Sequence, residues 1–193
     1  NDYDLVFFRP DPPVNMDYIY ATYVLDYIDR SKTFVINDPE GIRKANEKLY
    51  INHFPDFIPD NVTTQKASVL KDFLHQKGEI IIKPLNLCFG KGVFYLKKGD
   101  KNVNSIIEAT TNAGKTMVMA QEYLPGGLNG DKRIIIICGE VYDECIVKAR
   151  GEGDFKFNDH KDEYLLKTAL TPQEKHMAQS ICAQLLKDGL YLV

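Results

Sequence analysis

The sequence predicts a mixed α+β fold. Several segments carry apolar residues at helical spacing and begin at capping residues. Short apolar runs bounded by glycine or proline, which are typical of strands, cluster between residues 79 and 147. The apolar fraction of 44% is sufficient for a sizeable core. Because helical and extended segments alternate without an internal repeat, neither an all-α nor an all-β fold is favoured.

The first third of the chain predicts two strands and two helices. Leu5–Phe8 is a strand that stops at a proline-rich connector, and Phe34–Ile36 is a second strand. Asn15 opens a helix between them, and Asp38 opens another that we extend over Pro39–Asn52. One apolar face of the first helix comprises Met16, Ile19, Tyr20, Tyr23, Val24 and Tyr27.

The middle of the chain predicts the most strand-rich region. Ile58–Thr63 is a weak strand, and a helix follows that ends at Gly78. Glu79–Lys83 and Val93–Leu96 are strands joined by a glycine-containing loop. Asn104–Asn112 is a helix.

The remaining elements are three strands and a final helix. The strands are Met117–Tyr123, Ile134–Cys138 and Val141–Val147, with turns at Pro125-Gly126-Gly127 and Gly139. Residues 151–163 are polar. Thr171 begins a capping box that opens the last helix, and Gly189 ends it.

Composition excludes several classes of protein. The net charge is -3, whereas a general nucleic-acid or membrane-surface binder has a basic excess, so neither is expected as a partner. No apolar run is long enough to span a bilayer, and the first residues do not resemble a signal peptide. The four cysteines form no CxxC pair, so we expect free thiols and a cytoplasmic location. The histidines lack the spacing of a zinc site.

Lys83 is the first candidate for chemistry. It ends an apolar strand that we expect to be buried on both faces, so its ammonium is held rigidly and partly desolvated. The loop that follows contains Gly90 and Gly92, which allow backbone amides to fold over phosphates. Together they indicate a lid over a nucleotide. The alternative interpretation is an ordinary hairpin with a Lys at its solvent end.

Three further candidates are weaker when taken alone. Lys48 is a cation near a core position, or simply a surface lysine. The strand that ends with residues 121–124 has the apolar side chains and backbone groups that an adenine ring needs, but an ordinary core strand shows the same pattern. Asp131 and Arg133 are two residues apart at a strand start and project to the same side, either as a site or as an exposed turn.

The order of the motifs resembles that of prokaryotic glutathione synthetases, over nearly the whole chain. In chain order the motifs are Asp11-Pro12-Pro13, Tyr20-Ala21-Thr22-Tyr23, Asn46-Glu47-Lys48-Leu49, Ile82-Lys83-Pro84-Leu85, Met119-Ala120-Gln121-Glu122-Tyr123-Leu124-Pro125 and Gly130-Asp131-Lys132-Arg133. The resemblance implies an ATP-grasp fold that follows the tail of an α/β substrate domain. We place that tail at residues 1–38 and the ATP-grasp domain, incomplete at its C-terminus, at 39–193.

The resemblance also implies roles for individual residues. Lys48 and Lys83 would converge on the ATP phosphates beneath the loop of Gly90 and Gly92. The adenine site would comprise Gln121, Glu122, Tyr123 and Leu124, with Asp131 near the ribose or the substrate. The residues that approach the reacting acyl phosphate or the substrate would be Arg133, Lys148 and Arg150. The loops at 86–92 and 151–163 are the candidate lids.

The activity that the resemblance implies is ATP-dependent ligation of γ-glutamylcysteine and glycine through an acyl phosphate. The cofactors would be ATP and Mg²⁺, with Mn²⁺ as an alternative ion, and the protein would form a homo-oligomer. The chain has no initiator Met, and the acid and the Glu-x-Asn segment that bind metal would lie beyond Val193. We therefore expect a chain truncated at both ends, without metal ligands and, by itself, inactive.

Two alternatives to a glutathione synthetase stay open. Another ATP-grasp ligase, of the D-alanine–D-alanine or glutamate-adding type, shares the lysine, loop and adenine-strand layout, although Asp11-Pro12-Pro13 and Tyr20-Ala21-Thr22-Tyr23 favour glutathione synthetase. A nucleotide-binding or scaffolding fragment without activity is the second alternative. The loop is also less glycine-rich than the family's Gly-Met-Gly-Gly form.

Overall fold

The computed structural model describes residues 3–125, 131–148 and 165–193, which form the predicted mixture of helices and sheets. The described residues divide into two compact units. The first contains the chain up to Tyr50 together with residues 131–148 and 165–193, and the second contains residues 51–125. The predicted domain boundary after residue 38 stays a prediction.

The first unit begins with a parallel strand pair and two helices. β1 (Leu5–Phe7) pairs with β2 (Phe34–Ile36), and α1 (Met16–Leu25) connects them. As predicted, Asn15 caps α1, because its Oδ1 accepts a hydrogen bond from the Tyr18 N–H at 3.0 Å.

The apolar face of α1 is present but exposed in the described structure. Val24 is 68% exposed, and Tyr27, which lies beyond the end of the helix, is 90% exposed, whereas the buried side chain of the helix is Thr22. Thr22 accepts a hydrogen bond from Nη1 of Arg43 at 3.1 Å. The contact of α1 with the next helix therefore runs through a polar side chain that the apolar pattern does not mark.

That next helix, α2 (Pro39–Lys44), begins at the predicted cap Asp38 but ends much earlier than predicted. The side chain of Asn46 accepts hydrogen bonds from the N–H groups of Lys48 and Leu49, each at 3.1 Å. Asparagine competes in this way for backbone donors that would otherwise continue a helix. The predicted helix through Asn52 is therefore wrong, and Lys48 lies in a turn.

The second unit is an antiparallel sheet covered by two helices on one face. Its elements are two 3₁₀ turns (Tyr50–His53, which begins in the first unit, and Pro55–Phe57), β3 (Asn61–Thr64), α3 (Ala67–Lys77), β4 (Glu79–Pro84), β5 (Phe94–Lys97), α4 (Val103–Thr110) and β6 (Val118–Glu122). The strand order is β3-β6-β4-β5. The core joins both helices to alternate residues of the strands: Leu70, Leu74, Ile80, Ile82, Leu96, Ile107, Val118 and Ala120. These strands confirm the predicted strand-rich region.

The rest of the first unit is a three-stranded antiparallel sheet and a long helix. The elements are β7 (Asp131–Ile137), β8 (Glu140–Lys148), β9 (Leu165–Ala169) and α5 (Pro172–Lys187), with strand order β7-β8-β9. The predicted capping box is confirmed, since the Thr171 side chain and that of Glu174 each accept the other's backbone N–H. β9 was not predicted. None of the described helices is long and apolar enough to cross a bilayer.

Candidate functional site

The second unit presents Lys83 on the sheet face opposite to its helices. Ile80 and Ile82 of β4 point into the core and are fully buried, so Ile81 and Lys83 point to the other face. Register places Ile81 opposite Gln121 of β6. The Nζ of half-buried Lys83 donates to the Oε1 of Gln121 at 2.6 Å. The strand thus holds the ammonium in a defined position, as its place in the sequence predicts.

The end of β6 offers two backbone groups. The Glu122 N–H donates to the Asp60 carbonyl at 2.9 Å, and the Tyr123 N–H donates to the Glu79 carbonyl at 3.2 Å. Outside the strand ladders, neither the Glu122 carbonyl nor the Leu124 N–H takes part in a backbone hydrogen bond with another described residue. An acceptor and a donor two residues apart in an extended segment can meet the acceptor and donor on one edge of a purine.

Aromatic side chains lie beside this backbone edge. The rings of Tyr95 and Tyr123 meet edge to face, with centroids 4.9 Å apart. Tyr95 is opposite Ile81 in the register, so it shares the sheet face of Lys83. Burial and a hydrogen bond to Glu79 raise the pKa of Tyr95, which therefore stays neutral at physiological pH. An apolar surface and an ammonium thus occur together on one face.

The glycine loop packs against the strand end that carries Lys83. Gly90 and Gly92 have φ of 66° and 68°, in the region that favours glycine. A Cβ on Gly92 would lie 2.8 Å from the Cγ of Pro84, the residue after Lys83. Gly92 is therefore required by both its conformation and its close approach to β4.

The first unit brings together three other predicted residues. Asp131 and Arg133 share one face of β7, and Lys148 lies opposite Asp131 in the register with β8. Helix α5 contacts the other face, where Nζ of Lys132 lies 2.6 Å from Oε1 of Glu174. Arg133 is exposed. Asp131, Arg133 and the position of Lys148 therefore lie together at one end of the sheet, on the face that α5 does not cover.

Lys48 and Lys83 belong to different units, so their predicted convergence on one triphosphate stays a prediction. The Lys48 side chain is 12% exposed and forms an ion pair with Glu47. Arg150, residues 151–163 and the turn at Gly126-Gly127 lie outside the described residues. Within the described ranges, no group of three or more His, Cys, Asp or Glu side chains is placed to hold a metal ion.

Sequence reasoning missed two residues that contact the candidate adenine segment. Nζ of Lys77 forms an ion pair with Asp60 and another with Oε2 of Glu122 at 3.2 Å. The position of Lys77 just before the helix-ending Gly78 marks it as a cation at a helix C-terminus. Nothing in the spacing indicates its partners, of which Asp60 precedes β3 and Glu122 ends β6.

Comparisons with known proteins show the family of this chain. Residues 47–193 match the family model described as prokaryotic glutathione synthetase, ATP-grasp domain, and residues 1–43 match that of the N-terminal domain of the same enzymes. A glutathione synthetase from Nostoc sp. is 45% identical over 190 residues, which are 98% of this chain and 58% of that relative.

Two solved structures share the fold. D-cycloserine synthetase DcsG superposes with a TM-score of 0.76 at 15% identity, covering 98% of this chain and 68% of that one. The ATP-grasp ligase PsnB, complexed with minimal precursor, Mg and ADP, has a TM-score of 0.66 at 16% identity, covering 98% and 62%. The chain spans 58% of the length of its Nostoc relative. From the family models and this identity, the chain belongs to the prokaryotic glutathione synthetase family and has the ATP-grasp fold.

Proposed function

We propose that the protein containing this chain joins γ-glutamylcysteine to glycine with the consumption of ATP. The observation that carries this proposal is the 45% identity to a glutathione synthetase along 98% of the chain. The alternatives, a different ATP-grasp ligase or a fragment without activity, have no comparable support. The likeness to DcsG and PsnB is at 15% and 16% identity and concerns the fold alone.

The reaction needs activation because a carboxylate is a poor electrophile. Transfer of the γ-phosphoryl group of ATP to the cysteinyl carboxylate gives an acyl phosphate and ADP. The glycine amine then attacks the acyl carbon, loses a proton, and expels inorganic phosphate as the amide bond forms. Such catalysis depends mainly on positioning and on neutralising phosphoryl charge, and water must be excluded to protect the acyl phosphate.

The second unit has the groups that an adenine nucleotide requires. The Glu122 carbonyl would accept from the adenine amino group, and the Leu124 N–H would donate to the ring nitrogen next to it. The ammonium of Lys83, oriented by Gln121, would meet the phosphates, together with Lys48. The loop of Gly90 and Gly92 would cover them. Donors, an acceptor and an apolar surface on one face support this assignment.

The first unit would supply the groups around the reacting carboxylate. Arg133, with its planar fork of donors, suits a phosphoryl or carboxylate group, and Lys148 and Arg150 would add positive charge. Asp131 would accept from a ribose hydroxyl. The shared face of Asp131 and Arg133 and the register position of Lys148 support this grouping.

Magnesium, or manganese in its place, would neutralise charge on the transferring phosphoryl group when bound. Among the residues that the structure describes, no group of three or more His, Cys, Asp or Glu side chains is placed to hold this ion. The four free cysteines fit a reducing compartment, and we propose a cytoplasmic location. A homo-oligomer is proposed from the family resemblance, and sedimentation of the complete protein would test it.

The test is ADP release by the complete protein that contains this sequence. We expect turnover with ATP, γ-glutamylcysteine and glycine together, and little when either acceptor substrate is omitted. Turnover only with D-alanine would replace the proposal by a D-alanine-type ligase. Nucleotide binding without turnover of any substrate pair would support the non-catalytic alternative and reject ours.

A further inference from the structure

Lys77 links three elements at one corner of the second unit's sheet. It is the last residue of α3, and its side chain is only 16% exposed. Its ammonium contacts Asp60, which precedes β3, and Oε2 of Glu122, which ends β6, at 3.2 Å. The Glu122 N–H closes the network by donating to the Asp60 carbonyl at 2.9 Å. These hydrogen bonds, that to Asp60 first, raise the pKa of Lys77.

This network lies where the strand pairing of β6 ends. The register of β6 with β3 begins at Asn61 and Gln121, and the Asp60–Glu122 contact is the last backbone link on that side. On the other side, the last link is the Tyr123 N–H to the Glu79 carbonyl at 3.2 Å. Two backbone links therefore hold the end of β6, and the Lys77 network supports the one on the β3 side.

The network is poorly suited to a purely stabilising role. The carboxylate side chain of Asp60 is 70% exposed and that of Glu122 is 39% exposed. Ion pairs with such exposed partners contribute little to folding, because water and salt screen them. What the network does provide is position, since the lysine holds a side chain on the strand end that carries the Glu122 carbonyl and the Leu124 N–H.

We propose that Lys77 is a positioning residue that sets the purine specificity of the nucleotide site. It does so by keeping the Glu122 carbonyl and the Leu124 N–H aligned with the edge of the purine ring. This inference rests on the proposed ATP site. Lys77 itself touches no nucleotide in this arrangement; it acts through Asp60 and Glu122.

The purine edge explains why such positioning changes specificity. Adenine presents an amino donor beside a ring-nitrogen acceptor, whereas hypoxanthine presents a carbonyl acceptor beside an N–H donor. A rigid acceptor-donor pair on the protein matches adenine and leaves both groups unsatisfied against hypoxanthine. A loosened strand end rotates these groups away, and the penalty against hypoxanthine decreases along with the affinity for adenine.

The experiment measures steady-state kinetics of the complete protein with ATP and with inosine triphosphate. For Lys77→Met we expect the KM for ATP to rise about threefold and the preference for ATP over inosine triphosphate in kcat/KM to fall about threefold, with kcat for ATP within about twofold. Lys77→Arg, which keeps the charge, should restore most of the preference. Lys71→Met on the exposed side of the same helix is the matched control and should leave both quantities unchanged.

The outcomes separate this inference from the proposed function. A lower melting temperature of Lys77→Met with an unchanged nucleotide preference would show a merely structural lysine and overturn the inference. Absence of ATP turnover by the wild-type protein would instead overturn the proposed function. If Lys77→Met does not fold, the double change Asp60→Asn with Glu122→Gln removes both ion pairs while Lys77 is kept, and an unaltered preference in that variant rejects the inference equally.

Discussion

The ammonium of Lys83 lies 2.6 Å from the Oε1 of Gln121, across the boundary between β4 and β6. Gln121 is neutral, so this contact orients the ammonium without cancelling its charge. Lys77 in the same unit contacts two carboxylates instead. The contacts of the two lysines thus differ: Lys83 donates to a neutral amide oxygen, and Lys77 joins a residue before β3 to the end of β6.

Lys83→Met should impair nucleotide use much more than folding. The change removes one half-buried positive charge from the proposed phosphate position, and we expect kcat/KM for ATP to fall by about 100-fold or more. Lys97→Met is the control, because Lys97 is also on a strand of this sheet but is 65% exposed and paired with Glu79 at 2.8 Å. Steady-state kinetics of both variants would check this. Similar effects of the two changes would contradict a special role for Lys83.

Gly92→Ala should destabilise the glycine loop more than Gly99→Ala does. Both glycines have positive φ, 68° and 92°, so each substitution carries about 1–2 kcal/mol of backbone strain. Only at Gly92 would the new Cβ meet another group, the Cγ of Pro84 at 2.8 Å. We expect Gly92→Ala to cost roughly 1–3 kcal/mol more in denaturant unfolding and to raise the KM for ATP. Equal losses of unfolding free energy in the two variants would show that Pro84 moves aside easily and would contradict the prediction.

Glu174 should contribute stability that is lost in acid. The hydrogen bond from Lys132, followed by that from the Thr171 backbone, lowers its pKa from 4.5 to about 2. Since the folded-state pKa is the lower one, the contribution is complete above the unfolded-state value of 4.5 and disappears as pH falls from there toward 2. Glu174→Gln should flatten the pH dependence of unfolding in that window and cost about 1 kcal/mol at neutral pH through the weakened capping box.

Denaturant unfolding at a series of pH values measures this effect. Glu108→Gln, an exposed glutamate on α4, is the control for removing one carboxylate. If the free energy of unfolding of Glu174→Gln falls with acid as steeply as that of the wild type, other carboxylates cause the pH dependence.

Local signals account for the parts of the structure that were predicted well. Asn15, Asp38 and Thr171 each cap the helix that their side chains predict, because capping depends on residues within one turn. The apolar run before Lys83 predicts its strand for the same reason. The fold class and the position of Lys83 at a strand end follow from such short-range rules.

The missed features depend on residues far apart in the chain or on competing local interactions. Lys77 and its partners Asp60 and Glu122 are brought together only by the antiparallel order of β3, β6 and β4. The early end of α2 follows from the Asn46 side chain, which takes backbone donors that propensity assigns to a helix. The periodic pattern of apolar residues predicts neither the contacts of Lys77 nor the early end of α2.

Gly41→Ala gives the sharpest contrast between local propensity and tertiary packing. Alanine is the better helix former, and in isolation the change would favour α2 by about 1 kcal/mol. In the structure, however, a Cβ on Gly41 would lie 1.9 Å from the carbonyl oxygen of Asp188, which is backbone and cannot rotate away. We therefore expect the variant to be less stable by roughly 1–3 kcal/mol or more.

Relief of this clash would have a further effect, because the Asp188 carboxylate accepts hydrogen bonds from Tyr50 at 2.8 Å and from Gln184 at 2.7 Å. A shift of Asp188 away from residue 41 would strain both bonds and add to the loss. Glu40→Ala, at the adjacent exposed position of α2, places a methyl group in solvent and should change stability by less than about 0.5 kcal/mol. Denaturant midpoints of the two variants and of the wild-type protein would check this. A midpoint for Gly41→Ala above that of the wild type would contradict the prediction, because it would mean that α2 moves away from the end of α5 without loss of stability.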